Sequence, residues 1–472
     1  VVFSSNLFLF WFLPAVLTVN YLLPRRFENR FLFLASTFFY LWGGGTAVVP
    51  FLLAIALNYY SGALIAKTST RISKAILVVT LVADLSLLFY YKYYNFFCDQ
   101  LSSLLRPFGV DWHTTLQVTL PIGVSFFVFQ AMTYPIEVYR RQEDPVRRLS
   151  DLGAYLLLFP HLIAGPVVRY SDISRELGER SVDLDGLFQG VLRFAAGLGK
   201  KVILANQLGS VADEMFGARA EALTPAMAWT GTVFYGLQIY FDFSGYSDMA
   251  IGLARFLGFH FPENFNEPYR AASITDFWRR WHITLSRWFR DFLYIPLGGN
   301  RKGALRTYSN LFTVFFLCGL WHGAAWNFVV WGLFHGTLLV LERILDEKFG
   351  FVPSGPVGTV GTCLLVFIGW VFFRAPDTSA ALHHLAAMFG LAPKVTAFQY
   401  FPLQHFLTPR TVSIFCVAAI LLWGPTRKVR EHPIWNLPLG TAILGASALL
   451  VVFYAATILS TVSYNPFIYF RF

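Results

Sequence analysis

The run TYSNLFTVFFLCGLWHGAAWNFVVWGLFHGTLLVL, residues 307–341, lies between Arg306 and Glu342 and carries no charged side chain over 35 positions. It exceeds the roughly 20 apolar residues that one helix needs to cross a bilayer. It therefore reads as two spans, 306–320 and 323–341, meeting where Gly319, Gly323, Ala324 and Ala325 cluster. Small residues at such a place let two helices approach closely. His322 stands near the middle of the run, and an ionisable group at that depth is a functional candidate by default. Apolar surroundings disfavour imidazolium, so this ring is expected to be uncharged and able to accept a proton. A structural histidine bonded to a neighbouring helix remains the alternative.

The rest of the chain has the same character. Of 472 residues 56% are hydrophobic, 18% aromatic and only 14% charged. Soluble domains average about 25% charged residues, and disordered chains lack this apolar and aromatic mass. Cys98, Cys318, Cys363 and Cys416 are scattered and do not form a disulfide framework. The fold class is therefore all-α, a polytopic membrane protein. Candidate spans fall at about 5–23, 30–43, 47–66, 75–91, 118–139, 151–168, 186–207, 224–241, 306–320, 323–341, 357–373, 411–424 and 438–463. Several are too short or too interrupted to cross fully. Pro160 and Pro166 flank His161 in one such run, which predicts a broken or re-entrant element. The net charge of +10 sits in short clusters between apolar runs, including Arg140, Arg141, Arg147, Arg148 and Arg427, Lys428, Arg430. Cytoplasmic loops explain these better than nucleic acid does. The first apolar run lacks a positive start and a small-residue cleavage site, so it reads as a retained span rather than a signal peptide.

Residues 255–306 hold nine basic and four acidic side chains, half of the net charge. Ser273 and Thr275 offer helix-start signals. From there Phe277, Trp278, Trp281, Leu285, Trp288 and Phe292 recur at helical spacing, which predicts one amphipathic helix at the membrane interface or in a protein groove. His282 falls at the border of its apolar stripe. Asp242, Ser244, Tyr246 and Asp248 read as a structural polar cluster at a span end.

The available chemistry is narrow. The histidines are mostly isolated and His383–His384 point to different helix faces, so no metal site is expected. Haem ligation by His322 and His335 would need a second span with matching histidines, and none is present. Gly298-Gly299-Asn300-Arg301 lacks phosphate-loop spacing, and no G-x-S-x-G elbow occurs. What remains is proton abstraction by a buried histidine, as in attack of a hydroxyl on an activated acyl group, with arginines suited to phosphates of an anionic acyl carrier.

At these residues the chain resembles the membrane-bound O-acyltransferase superfamily. The likeness rests on Val2–Asn6, Phe159–Pro166, Tyr240–Ala250, Phe277–Ser286, Arg290–Arg301 and Trp321–Ala324. It covers most of one integral-membrane domain, 1–472, and is densest over a catalytic core at 120–345. It is strongest to the branch acting in O-acetylation of alginate-like exopolysaccharide and peptidoglycan. The resemblance implies a ring of about eleven tilted helices, with re-entrant and amphipathic helices around a central tunnel, in the bacterial inner membrane. It implies His322 and His282 as catalytic residues and acetyl-CoA as donor substrate, with no tightly bound cofactor. Arg279, Arg280 and Arg301 are then candidates for CoA phosphates, while Trp278, Trp321, Asn327, His161 and Asp242 are tunnel or structural candidates. An extracytoplasmic polysaccharide acceptor and a periplasmic SGNH-type acetyltransferase partner are implied as well, because this chain carries no Ser-His-Asp hydrolase domain. Two other readings stay open: acyl transfer from a carrier protein, as in D-alanyl transfer, and secondary transport of a lipid-linked sugar, whose broken helices would look alike.

Overall fold

Apolar runs separated by prolines, glycines and charged clusters fold, in a computed structural model, into helices alone; no strand occurs among the described residues. These are 3–110, 112, 114, 116–218, 222–392, 403–424, 432–462 and 464–468. Val2 and the Arg427, Lys428, Arg430 cluster lie outside them. In chain order the helices are α1 (Phe8–Leu22), α2 (Arg25–Gly44), α3 (Val48–Lys67), α4 (Thr70–Leu88), α5 (Tyr94–Leu105), α6 (Val124–Tyr139) and α7 (Leu149–Leu157). There follow α8 (Phe159–Leu162), α9 (Tyr170–Gly178), α10 (Leu184–Gly199), α11 (Asn206–Gly217), α12 (Pro225–Phe256), α13 (Ile274–Arg280) and α14 (Ile283–Phe289). The series closes with α15 (Ala304–His322), α16 (Trp326–Phe349), α17 (Gly355–Arg374), α18 (Thr378–Met388), α19 (Pro409–Trp423) and α20 (Pro438–Thr461).

Among the described residues, five segments are long and apolar enough to cross a membrane: Arg25–Lys67, Thr70–Phe108, Trp326–Phe349, Gly355–Arg374 and Pro438–Thr461. The chain is an all-α polytopic membrane protein. The first of these segments holds two helices of 20 residues, α2 and α3, each about 30 Å long. Gly45, at φ 58°, ends the first of them.

The chain divides into two compact units, residues 1–194 with 246–262, and residues 195–245 with 263–472. In the first, α6 is buried at every position from Val124 to Val138. Its apolar character reflects cover by protein rather than by lipid, since a helix that is hydrophobic all round belongs in a core. α3 and α4 are joined by polar pairs at membrane depth: Asn58 Nδ2 donates to Asp84 Oδ1 at 3.0 Å, and Thr80 Oγ1 to Ser61 Oγ at 2.7 Å. Such bonds are favoured where no water competes. The run 151–168 is broken as expected. α7 stops at Leu158, and the Phe159 N–H turns to Ser36 Oγ at 3.2 Å. The prolines are tolerated because the whole stretch from Leu152 to Tyr170 is enclosed by protein.

In the second unit α15 and α16 form an antiparallel hairpin in which Gly319 faces Gly332. A Cβ on Gly332 would overlap the carbonyl oxygen of Phe315, and one on Gly319 the carbonyl oxygen of Phe328. Backbone cannot yield as a flexible side chain can. Gly332→Val is therefore expected to destabilise the protein by about 1–3 kcal/mol, the usual penalty of overpacking, read as a lower unfolding temperature in detergent. An unchanged midpoint would show that the hairpin can open at that level.

α12 corrects one sequence expectation. The polar cluster at 242–248 is not a span end but the interior of a 32-residue helix. Its charges survive burial because each has a partner in its own unit: Asp242 meets Lys201 at 2.7 Å, and Asp248 meets Arg193 at 2.7 Å.

Candidate active site

His322 is the last residue of α15; Gly323 is extended, and its N–H closes the helix on Gly319 O at 3.2 Å. A Cβ on Gly323 would overlap the Phe328 ring, so glycine there lets the turn close over that aromatic. The imidazole lies edge-on among three aromatic rings, Trp321 at 5.0 Å, Trp331 at 5.1 Å and Phe373 at 5.0 Å. It is buried but retains 5% exposure, whereas His335, one helix further on, has none.

The basic segment differs from its expected form. Of the stripe, Phe277, Trp278, Trp281, Leu285 and Trp288 are buried as the spacing implies and Phe292 is half-buried, but in place of one continuous helix there are two seven-residue helices with Trp281 in the break between them. Ser273 caps the first, its Oγ accepting the Asp276 N–H at 3.1 Å. Trp281 is then extended, and His282 adopts the left-handed conformation at φ 43°. The helix breaks where Asn264, which precedes both short helices, takes over a freed donor: its backbone oxygen accepts the Ile283 N–H at 3.0 Å. The break turns His282 inward. Its ring meets Phe243 of α12 at 4.7 Å and Trp321 at 6.2 Å. Trp321 therefore touches both histidines, which lie 40 positions apart in sequence.

Glu342 of α16 holds the first short helix in place. Its carboxylate accepts the N–H groups of Ile274 at 2.7 Å and Thr275 at 3.1 Å, unsatisfied donors that a negative charge suits. The element after His322 thus positions the element before His282. Glu342→Ala is expected to cost about 1 kcal/mol, the typical worth of a helix cap, again as a lowered unfolding midpoint.

The other expected residues separate into groups. Trp278 packs on Phe315, Trp331 and His335 at 5.1, 5.7 and 5.1 Å. Asn327 donates through Nδ2 to Phe372 O and Ala375 O at 3.1 and 2.9 Å, closing the end of α17. Its local role is a helix stop. Arg280 is engaged with Asp276 at 2.8 Å, while Arg279 and Arg301 are exposed. Asp242 belongs to the ion pair with Lys201. His161 lies in the other unit, where its Nε2 is 2.8 Å from Tyr155 O and its ring stacks on Phe261 at 5.1 Å. His384 is buried and His383 exposed, as adjacent helix positions imply. No group of three or more potential metal ligands occurs among the described residues. Asn264 and Glu342 escaped sequence reasoning, because neither stands in a pattern that announces a long-range partner.

The family model MBOAT, membrane-bound O-acyltransferase family, matches residues 46–374. This chain belongs to that family. It is an acyltransferase of the membrane, as the resemblance of its histidine motifs implied. The probable alginate O-acetylase AlgI of Azotobacter vinelandii is 40% identical over 502 aligned positions, covering 100% of both chains. The peptidoglycan O-acetyltransferase of Helicobacter pylori is 36% identical and covers 82% of this chain and 80% of its own. The teichoic acid D-alanyltransferase of Bacillus subtilis is 28% identical over 52% of this chain and 65% of its own.

Proposed function

We propose that this acyltransferase takes acetyl groups from cytosolic acetyl-CoA and delivers them across the bacterial inner membrane, for O-acetylation of an extracytoplasmic polysaccharide such as an alginate-like polymer or peptidoglycan. The observation that supports the reading is that His282 and His322 both pack against Trp321, with ring separations of 6.2 and 5.0 Å. Two sequence-distant imidazoles sharing one indole, at a helix end and a helix break, support an acid–base reading.

His322 is the general base. It accepts the proton of an acceptor hydroxyl as the oxygen attacks the thioester carbonyl. The tetrahedral intermediate collapses with cleavage of the C–S bond, and the imidazolium returns its proton to the departing CoA sulfur. The products are an acetate ester and free CoA. His282 orients the reacting groups, and the exposed guanidinium groups of Arg279 and Arg301 attract the phosphates of CoA. A periplasmic acetyltransferase of the SGNH type receives the acetyl group and completes transfer to polymer.

Acetyl transfer is favoured over D-alanyl transfer because the acetylating relatives match across most or all of the chain, the D-alanylating one across about half. The test is release of CoA from radiolabelled acetyl-CoA by the protein in liposomes, with acceptor polymer and periplasmic fraction supplied. Turnover dependent on acetyl-CoA is expected. Its absence, with turnover appearing only on an acyl-carrier protein, would replace this reading with the carrier-dependent one.

A further inference from the structure

Asn264 is fully buried, and its side-chain oxygen gathers donors from the residues on either side of Ile283. Thr284 approaches it with its hydroxyl at 2.8 Å and its backbone N–H at 3.4 Å, and His282 with Nδ1 at 3.0 Å. A backbone N–H can only donate, so the Asn264 atom facing it is the carbonyl oxygen. An amide oxygen in turn only accepts. His282 Nδ1 must therefore carry the proton in this contact, and in the neutral ring Nε2 then holds the lone pair. The same asparagine secures the backbone, since its own carbonyl takes the Ile283 N–H at 3.0 Å. That support matters because a left-handed non-glycine residue stores about 1–3 kcal/mol and persists only where its surroundings over-determine it.

We infer that Asn264 is a positioning residue for acyl transfer: it fixes His282 as the Nδ1–H tautomer and aims Nε2 as a hydrogen-bond and proton acceptor. The inference rests on the placement of His282 in the acyl-transfer site. It also restricts what His282 does. With Nδ1–H committed to Asn264, the neutral ring has no second N–H to offer an oxyanion, so its partner in the substrate complex is a donor, an O–H or amide N–H. Phe243 and Trp321 pack against the His282 ring at 4.7 and 6.2 Å.

Three variants and one spectrum test it. Asn264→Leu keeps the volume and removes the acceptor; turnover of acetyl-CoA is expected to fall on the order of a hundredfold or more, as when a histidine base loses its orienting partner. The KM for acetyl-CoA should change little. Asn264→Asp restores an acceptor at the same place and should recover most of the lost turnover. The double variant Asn264→Leu with His282→Gln should be no slower than His282→Gln alone, because both remove one function. Full turnover in Asn264→Leu beside an inactive His282→Gln would overturn the inference and leave the proposed reaction standing. Full turnover in His282→Gln would instead remove the histidine's role from the reaction itself. Should Asn264→Leu fail to fold, the 15N spectrum of histidine-labelled protein in liposomes decides, the His282 signal being assigned by its loss in His282→Gln. Protonated Nδ1 is expected; protonated Nε2 overturns the assignment.

Discussion

Replacing His322 by alanine is expected to abolish acyl transfer, with turnover reduced by at least about 10²–10⁴-fold, the usual contribution of a positioned general base. The reduction should fall on kcat and on kcat/KM alike, because the interaction lost is made as the proton moves. Alanine also removes a ring that packs against Trp321, Trp331 and Phe373, so folding needs its own control. His322→Gln fills much of the same space and keeps a hydrogen-bonding head without a basic nitrogen. It should migrate as folded protein on size exclusion and show the same loss of CoA release. Turnover within a few-fold of the parent in either variant would end the proposed mechanism.

The second large effect lies at the buried ion pair. Lys201 and Asp242 have side chains 3% and 2% exposed and meet at 2.7 Å. They also tie down the C-terminal segment: Asp242 Oδ2 accepts the Ile468 N–H at 2.9 Å, and Lys201 donates to Pro466 O. Asp242→Leu strands an ammonium group in a desolvated site, and breaking a buried pair from one side costs about 3–5 kcal/mol. A clear fall in the unfolding temperature of the detergent-solubilised protein, or loss of folded protein, is expected. Lys201→Met added to Asp242→Leu should restore part of the stability, since no charge is then left alone. Full restoration is not expected, because Ile468 N–H and Pro466 O lose their partners in the double variant. A double variant less stable than Asp242→Leu alone would show that the pair is not coupled in this way.

Much of the fold and of the candidate site could be seen in the chain before folding. The uncharged run around Trp321-His322-Gly323, the capping Ser273 and the broken element at Phe159–Pro166 all appear where local chemistry places them. The helical stripe from Phe277 to Trp288 is buried as its period requires. Its interruption at His282 was hidden, since side-chain spacing alone carries no record of a backbone rival. Asn264 supplies that rival from 18 positions away. The 242–248 cluster misled for a related reason. Charged residues resemble a span end until Lys201 and Arg193, each distant in sequence, are found beside them.

The sequence by itself determined the solvent and the element type: long apolar runs require a bilayer or a core, and a chain in either must satisfy its backbone within helices. It also determined that His322 and His335 lie along a run free of charged neighbours. Tertiary structure alone decided that His282 stands beside Trp321, that Asn264 faces its Nδ1, and that Lys201 and Arg193 meet the carboxylates of the 242–248 cluster. Those outcomes depend on hydrogen bonds and ion pairs between residues far apart in the chain, whose energies exist only once folding has brought the partners within about 3 Å.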